Sequence, residues 1–481
     1  MSRGRLVVHA HFYQPSRMDP FSGRLPADAS AAPFRDWNAR TTAECYRPNA
    51  ELGSLAHVSW DLGPTLSSYL ASEAPDVLEA FAAADVQGGG VDNGPGIAQP
   101  FHHAILPLAP VHDRRTEIRW GLRDFEVRFG RRATAIWLPE TAVDLATLRI
   151  LAEEGVTGTI LAPWQADAPH LDARRPYRVD VGAGRHVTVA FYDGDLSGAI
   201  SFDPTVTADA DRFARERIAP RLAGSLPDGA PPMLVIASDG ELYGHHQAFR
   251  DLFLQRLVAP SAETSDRGFD VVTLSEVLAE AGGHAHPEIR IRERTSWSCH
   301  HGVLRWSGEC PDAPDGRWKG PLRAALERLA GGIDTITEGL ARELPGLDDV
   351  WGSRNRYVDV VLGITDGDAF ATAELGPGAD RADEAARNRL LVLMEAQRWR
   401  LGMFASCGWF WDDPSRPETH HVLQAAARAV RLIDEQANTN LERRLVADLA
   451  LFESPALGID GATIYRQALA RAGQHPPRGE D

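Results

Sequence analysis

The sequence is poor in lysine and has no long apolar run. Its 481 residues include one lysine, Lys319, among 50 basic residues against 67 acidic ones, which gives a net charge of −17. Phosphate binding needs a basic face, so we expect no nucleic acid partner. No stretch approaches the roughly 18 apolar residues of a membrane span, and the first apolar run is too short for a signal peptide. We therefore expect neither a membrane partner nor a secretion signal.

Cysteine is also scarce, and its spacing is uninformative for bridging. Cys45, Cys299, Cys310 and Cys407 lie far apart and form no C-x-x-C pair. This pattern is typical of reduced thiols rather than of a disulfide framework or a zinc knuckle. We therefore expect a cytoplasmic protein.

The first part of the chain alternates short apolar runs with helical stretches. A helix is predicted over Asp144–Glu154, with Asp144 as its N-cap. Strands alternating with helices indicate a parallel sheet, and this many units favours a barrel over an open sheet. The predicted strands are Arg5–His11, Ala133–Leu138, Thr157–Leu161, Val187–Tyr192, Met233–Ser238 and Phe269–Thr273.

After about residue 295 the strand signals give way to helical ones. We expect residues 1–295 to form the barrel and residues 296–481 to form a helical domain that contributes to the active-site cleft. The predicted helices of this second part are Pro321–Glu343, Ala385–Ala405, Glu418–Glu435 and Asn440–Phe452.

Polar residues follow three of the apolar runs, where the carboxyl ends of parallel strands gather catalytic groups. His9 and His11 are two residues apart on the first strand, so both side chains leave the same face, with Gln14 behind them. One interpretation is that both are core histidines with their hydrogen bonds satisfied. The other is that they are hydrogen-bond donors or metal ligands at the mouth of a barrel. Glu140 follows the run that ends Trp137-Leu138-Pro139, where the alternative is a loop or helix-terminal acid.

The third run, Met233–Ser238, is followed by Asp239, Glu241, a tyrosine and His245. Asp-Gly is a turn signature, but a turn alone does not require two acids, a tyrosine and histidines together. Two carboxyl groups on different strands are the minimum for glycoside cleavage, one ionised and the other protonated near neutral pH. Trp297 and Trp409 sit among small or polar neighbours and are read either as core residues or as platforms for sugar rings.

Together these residues resemble glycoside hydrolase family 57. The family's His-x-His motif ending in Gln-Pro matches His9–Pro15, its Trp-Leu-Pro-Glu motif matches Trp137–Glu140, and its Asp-x-Glu motif with Gly-His matches Asp239–His245. Trp297 resembles the loop tryptophan after the barrel, and Trp409 resembles the aromatic residue of the fifth motif. The segments around them are most similar to the subgroup that carries the domain of unknown function numbered 3536.

This resemblance implies a (β/α)7 barrel followed by a C-terminal helical bundle, in a retaining hydrolase or transglycosylase of the amylase, 4-α-glucanotransferase or branching type. The substrate would be α-linked glucan, with Glu140 as nucleophile, Asp239 as general acid/base, and no cofactor or metal. The chain departs from the family's second motif, which has an acid where Gly94-Pro95-Gly96 stands here. The substrate-binding residues would be His9, His11, Gln14, Trp137, Glu241, His245, Trp297 and Trp409.

Two other readings of the residues stay open. In a metal-dependent carbohydrate enzyme, such as a polysaccharide deacetylase or a zinc α-mannosidase, His9, His11, Asp239 and His245 would hold zinc. That reading leaves Glu140 without a clear role. In the second, the chain is a glucan-binding protein that kept the cleft and lost turnover.

Overall fold

Eight strands build the sheets of the protein in a computed structural model that describes residues 3–90, 93–259, 267–281, 286–376 and 384–472. Five of the six predicted strand runs are confirmed as β1, β4, β6, β7 and β8, while β2, β3 and β5 were not predicted. The strands are β1 (Gly4–Phe12), β2 (Ser59–Leu62), β3 (Gly96–Ile97), β4 (Gly158–Leu161), β5 (Tyr177–Gly182), β6 (Arg185–Phe191), β7 (Met233–Asp239) and β8 (Phe269–Val271).

The central sheet is parallel and has the order β3-β2-β1-β7, with β8 also paired to β1. Its strands are apolar on both faces, as the near-complete burial of β1 and β7 shows. Parallel strands covered by helices on both faces need such continuous apolar runs, which is why β1 and β7 were readable from the sequence.

The predicted run Ala133–Leu138 forms isolated bridges in place of a regular strand. Ile136 bridges Ala98, and Ala135 bridges Gly158 at the start of β4. A hydrogen bond from Asp193 N to Val235 O, 2.8 Å long, continues from the end of β6 to β7. Parallel pairing therefore passes from β7 through β1, β2 and β3 to this segment and then to β4 and β6, and a single hydrogen bond joins the residue Asp193 after β6 to β7.

Strand β5 is the antiparallel exception, because it forms a hairpin with β6. Ala183 and Gly184 connect the two strands, with φ angles of 55° and 70°. Positive φ at both central residues is the geometry of a type I′ turn, which matches the twist of the flanking strands.

Nineteen α-helices lie in the described ranges. Helix α6 has the predicted cap, because the Asp144 carboxylate accepts from Thr147 N at 2.7 Å. The helices are α1 (Trp37–Thr41), α2 (Arg47–Glu51), α3 (Pro64–Glu73), α4 (Pro75–Gly89), α5 (Val111–Phe129), α6 (Leu145–Glu153), α7 (Gly194–Phe202), α8 (Ala210–Phe213), α9 (Arg250–Val258), α10 (Leu274–Ala281), α11 (Lys319–Ala341), α12 (Val350–Arg356), α13 (Val358–Val361), α14 (Gly367–Leu375), α15 (Glu384–Gly402), α16 (Cys407–Phe410), α17 (Pro417–Asp434), α18 (Leu441–Leu449) and α19 (Gly461–Arg471).

The chain divides into two compact units. The first comprises residues 1–14, 27–101 and 125–298, and the second comprises residues 15–26, 102–124 and 299–481. The second unit therefore includes two segments, 15–26 and 102–124, from the part of the sequence that we assigned to the barrel. Buried ion pairs within the second unit hold one of these segments, because Asp113 pairs with both Arg354 and Arg400.

All eight strands belong to the first unit, and their side chains build its core. The four helices predicted after residue 295 are confirmed as α11, α15, α17 and α18 in the second unit. Within the ranges that the structure describes, no helix has the length and apolar character needed to cross a membrane. The first unit's core includes Val7, Ile97, Trp137, Ile160, Ala190 and Val235.

Candidate active site

Three polar residues stand in one row across three neighbouring strands. His11 on β1 is in register with Asp61 on β2 and with Asp239 on β7. All three lie at or next to the last residue of their strand. The register of a parallel sheet thus brings these side chains to the same edge, at the carboxyl ends of the strands.

The carboxylate of Asp61 connects the two histidines of the first motif. Its Oδ1 lies 3.0 Å from His9 Nε2, and its Oδ2 lies 2.9 Å from His11 Nδ1. The side-chain amide of Gln99 donates to the same Oδ2 at 2.8 Å. Burial alone would raise the pKa of Asp61, but the two imidazoles outweigh it and lower that pKa.

The two histidines differ in charge. Burial lowers the pKa of His9 more than Asp61 raises it, so His9 is neutral. Burial also opposes the charge of His11, but the carboxylates of Asp61, Asp239 and Glu241 outweigh it and raise the pKa of His11 to about 9. A neutral imidazole therefore lies in the core, and an imidazolium lies at the strand ends.

Glu140 lies in a tight turn that the sequence pattern Pro139-Glu140-Thr141 alone does not reveal. Its φ and ψ are 57° and 22°, in the left-handed region. A non-glycine residue there costs on the order of 1 kcal/mol or more and persists when its surroundings hold it. The buried side chain of Gln165 donates to Thr141 O at 2.8 Å, and Trp297 N donates to Glu140 O at 3.0 Å.

The carboxylate of Glu140 receives two hydrogen bonds from one segment. Trp297 Nε1 and Ser298 Oγ donate to its Oε2 at 3.0 Å and 2.7 Å. Burial raises the pKa of Glu140, these two donors lower it, and the negative charge of Asp239 raises it further. Glu140 and Asp239 therefore interact electrostatically, as two carboxyl groups of one site do.

Aromatic rings connect Glu140 to the histidines. His9 and His11 stack on Trp137 with ring centroids 4.5 Å and 5.3 Å apart, and Trp297 meets both Trp137 and His11 edge-on. Trp137 is completely buried, whereas Trp297 is partly exposed. Trp297 is therefore the ring of this group that can contact a ligand, and Trp137 supports the histidines from within the core.

The two acids of the third motif point to different environments. Asp239 is exposed, while Glu241 is 4% exposed and accepts from Tyr46 Oη at 2.6 Å and from Tyr13 N at 3.1 Å. Burial raises the pKa of Glu241 to about 7, aided by Asp239 and opposed by the Tyr46 hydroxyl. A Cβ on the intervening Gly240 would lie 2.2 Å from the Phe12 ring, so this glycine permits the close approach to β1.

Two further predicted residues lie at the margin of this group. His245 Nδ1 is 2.6 Å from Glu44 Oε2, and Gln14 hydrogen-bonds the Tyr46 hydroxyl with its side chain. The structure therefore brings nine of the ten predicted site residues into the first unit, around two carboxyl groups and an imidazolium. Trp409 is the exception, because it belongs to the second unit.

The chain's similarities to known proteins agree with this geometry. The sequence profile of glycosyl hydrolase family 57 matches residues 58–291. This match confirms the resemblance to the family over that part of the chain. A second profile, the domain of unknown function DUF3536, matches residues 315–475, as the resemblance to that subgroup implies. A comparison with curated proteins gives no match.

Solved structures show the family's fold. An exo-type maltose-forming amylase from Pyrococcus sp. ST04 is 15% identical with a TM-score of 0.70, over 97% of this chain and 88% of that one. A branching enzyme of the family from Pyrococcus horikoshii is 17% identical with a TM-score of 0.57, over 99% and 98%. A 4-α-glucanotransferase from Thermococcus litoralis is 17% identical with a TM-score of 0.55, over 88% and 60%. The predicted (β/α)7 class with a helical C-terminal region is confirmed.

The family motifs were found by sequence, but several residues that hold them were not. Asp61 accepts from both histidines, yet it lies on the four-residue strand β2, which is too short for its pattern to stand out. Its one signal is the run Ser-Trp-Asp-Leu before Gly63-Pro64, which places an acid at the end of a short strand. Ser298 and Gln165 carry no sequence signal, because their partners are more than 20 residues away.

The four residues that the zinc alternative requires as ligands do not surround one point. His9 and His11 are hydrogen-bonded to Asp61, and His245 is hydrogen-bonded to Glu44. Over the residues that the structure describes, the ligand atoms of His9, His11, Asp239 and His245 do not converge on one point. The three histidines are therefore each hydrogen-bonded to a carboxylate, Asp61 or Glu44.

Trp409 has the surroundings of a core residue. It is completely buried, its indole N–H donates to Lys319 O at 3.3 Å, and the Arg323 guanidinium lies 4.7 Å from its ring centroid. Phe404 lies parallel to it, with centroids 6.4 Å apart. No face of this ring is open to solvent, so a stacking role for Trp409 stays a prediction.

Proposed function

We propose that this protein cleaves or transfers α-linked glucan by a retaining double displacement. The observation that supports it is the position of Glu140, whose carboxylate is fixed by Trp297 and Ser298 and interacts with the charge of Asp239. The enzymes of similar fold are described as maltose-forming amylase, 4-α-glucanotransferase and branching enzyme, which supports α-glucan as the proposed substrate class.

In the first step Glu140 attacks the anomeric carbon, and Asp239 gives its proton to the leaving glycosidic oxygen. The two donors on Oε2 lower the pKa of Glu140 against the effect of burial, which favours the ionised form, and they leave Oε1 to react. Asp239 is exposed, as a group that exchanges protons with substrate and water must be. In the second step Asp239 takes a proton from water or a sugar hydroxyl, which then releases the glycosyl group from Glu140.

The surrounding residues supply charge and shape. The imidazolium of His11 lowers the pKa of Glu140 and stands in register with Asp239, so it offsets part of the negative charge of the pair. Trp297 offers its partly exposed ring to a sugar face. His9 and Trp137 act from the core, and Gln14, Glu241 and His245 are further candidates for sugar contacts. The cytoplasmic location expected from the cysteine spacing also stays a proposal.

The test is a panel of α-glucans incubated with the full chain, with products resolved by size and linkage. Short sugars alone would indicate hydrolysis, a ladder of longer chains would indicate transfer, and new branch linkages would indicate branching. Glu140→Gln is the matched inactive control, because the amide retains the shape and cannot form the glycosyl intermediate. Products from the wild type that Glu140→Gln also forms at full rate would contradict the proposal.

Azide separates the two carboxyl roles. Glu140→Ala should regain activity on an activated α-glucoside with azide and give a glycosyl azide of inverted configuration. Asp239→Ala should give a glycosyl azide of retained configuration, because its intermediate still forms on Glu140. The opposite pair of configurations would show that the roles are exchanged.

A further inference from the structure

Two cysteines that are 11 residues apart in sequence meet in the second unit. Cys299 Sγ and Cys310 Sγ are 3.4 Å apart, and both side chains are buried. His301 Nδ1 lies 3.6 Å from Cys310 Sγ and 3.2 Å from Asp312 Oδ2. One ligand atom from each of these four residues lies within 4.8 Å of the others.

We propose that Cys299, His301, Cys310 and Asp312 bind a structural zinc ion. Thiolate, imidazole and carboxylate are the ligands of zinc in proteins. At ordinary zinc–ligand lengths, tetrahedral pairs are separated by about 3.8 Å for two sulfurs, ~3.6 Å for sulfur and nitrogen, and ~3.4 Å for nitrogen and oxygen. The distances of 3.4, 3.6 and 3.2 Å are close to these values.

The backbone presents the four ligands in two tight turns. Gly302 N donates to Cys299 O at 3.2 Å, and Ala313 N donates to Cys310 O at 2.9 Å. Each turn therefore carries a cysteine at its first position and a second ligand two residues later. The spacing is C-x-H and C-x-D in place of C-x-x-C, which is why the sequence pattern gives no zinc signal.

The loop between the two turns is anchored by contacts that do not involve the side chains of the four ligands. Trp306 is completely buried, and Arg305 donates to Asp312 O at 3.0 Å and to Phe410 O at 3.1 Å. His301 and Asp312 lie on the solvent side, with side chains 41% and 24% exposed. Zinc can thus reach the site from solvent, and the two buried thiols lie beneath the two ligands that face the solvent.

Lys319, the single lysine of the sequence, supplies a counter-charge. It is completely buried, and among the described residues its ammonium has no hydrogen-bond partner. It interacts electrostatically with the sulfurs of Cys299 and Cys310. Zinc with two thiolates and one carboxylate carries one net negative charge, which this ammonium would neutralise.

All four positions of a tetrahedral site are filled by protein, so the ion would be structural rather than catalytic. Cys299 follows Ser298 directly in the chain, and Ser298 donates to Glu140. An ion that fixes Cys299 would therefore restrain the segment that holds the nucleophile. The site does not depend on the proposed sugar chemistry.

The test is the metal content of the full chain, purified under reducing conditions and measured by elemental mass spectrometry. We expect one zinc per chain in the wild type, and its loss in Cys310→Ser and in His301→Ala. The matched controls are Cys407→Ser, a cysteine of the same unit, and His112→Ala, a histidine of the same unit whose ring contacts Asp113 and Trp351. Both controls should keep the zinc.

A second measurement avoids dependence on folded variants. Cobalt(II) exchanged into the wild type should give the intense visible bands of a tetrahedral site and thiolate-to-cobalt charge transfer. A wild type that holds neither metal after reduction, or a disulfide between Cys299 and Cys310 detected by mass, would overturn the proposal. So would zinc that persists in Cys310→Ser and His301→Ala but is lost in His11→Asn.

Discussion

The indole N–H of Trp297 donates to Oε2 of Glu140 over 3.0 Å, across 157 positions of sequence. The same tryptophan donates its backbone N–H to Glu140 O, so one residue fixes both the strained backbone and the carboxylate of the proposed nucleophile. The segment after the strands of the first unit therefore positions Glu140, and its hydrogen bonds lower the pKa of that carboxyl against the effect of burial.

Trp297→Phe should shift the pH dependence of the reaction. Phenylalanine keeps an aromatic ring but lacks the indole N–H. A carboxylate that loses a hydrogen-bond donor has a higher pKa. Glu140 must be ionised to attack, so the acidic limb of the kcat/KM profile should move to higher pH. Trp164→Phe is the matched control, because its N–H donates to Ser296 O. Equal profiles for wild type and Trp297→Phe would show that this bond does not govern Glu140.

The loss of activity in Asp239→Asn should depend on the leaving group of the substrate. Without a proton donor, cleavage of a natural α-glucan should fall by about 100-fold or more, whereas an activated aryl glucoside needs little protonation and should lose far less in the first step. Initial rates of glycosyl-enzyme formation on the two substrates check this. The same fractional loss on both substrates would argue against Asp239 as the acid.

His11→Asn should destabilise the fold in a pH-dependent way. The pKa of His11 is raised from 6.5 to about 9, so its stabilisation is fully present below pH 6.5 and is lost as the pH rises through 9. A shift of this size corresponds to on the order of 3 kcal/mol. The difference in unfolding free energy between wild type and variant, measured from pH 6 to 9.5, should therefore shrink with rising pH.

Trp409→Ala should act on stability first. The ring is completely buried, and removing a core tryptophan costs about 3–5 kcal/mol. Trp409→Phe should cost less, because most of the packing against Phe404 and Arg323 remains. Denaturant unfolding of the full chain measures both. A stable Trp409→Ala variant whose binding of α-glucan oligosaccharides is weakened would favour the stacking role that the family resemblance implies.

The sequence by itself indicated the candidate catalytic residues and most of the strands and long helices around them. Buried parallel strands need continuous apolar runs, so β1 and β7 could be predicted from the sequence. The acids and histidines in or after these strands were found because they interrupt the apolar pattern. The helix cap at Asp144 and the long helices of the second unit could also be predicted, because both depend on local sequence patterns.

Only the tertiary structure decided how those residues are charged and held. The neutral state of His9 and the cationic state of His11 depend on Asp61, which lies on a strand of four residues. The support of Glu140 by Trp297 and Ser298, and the meeting of Cys299 with Cys310, join positions that no local pattern relates. Burial and the charges of distant partners set a pKa or a ligand geometry, and those arise only when the chain has folded.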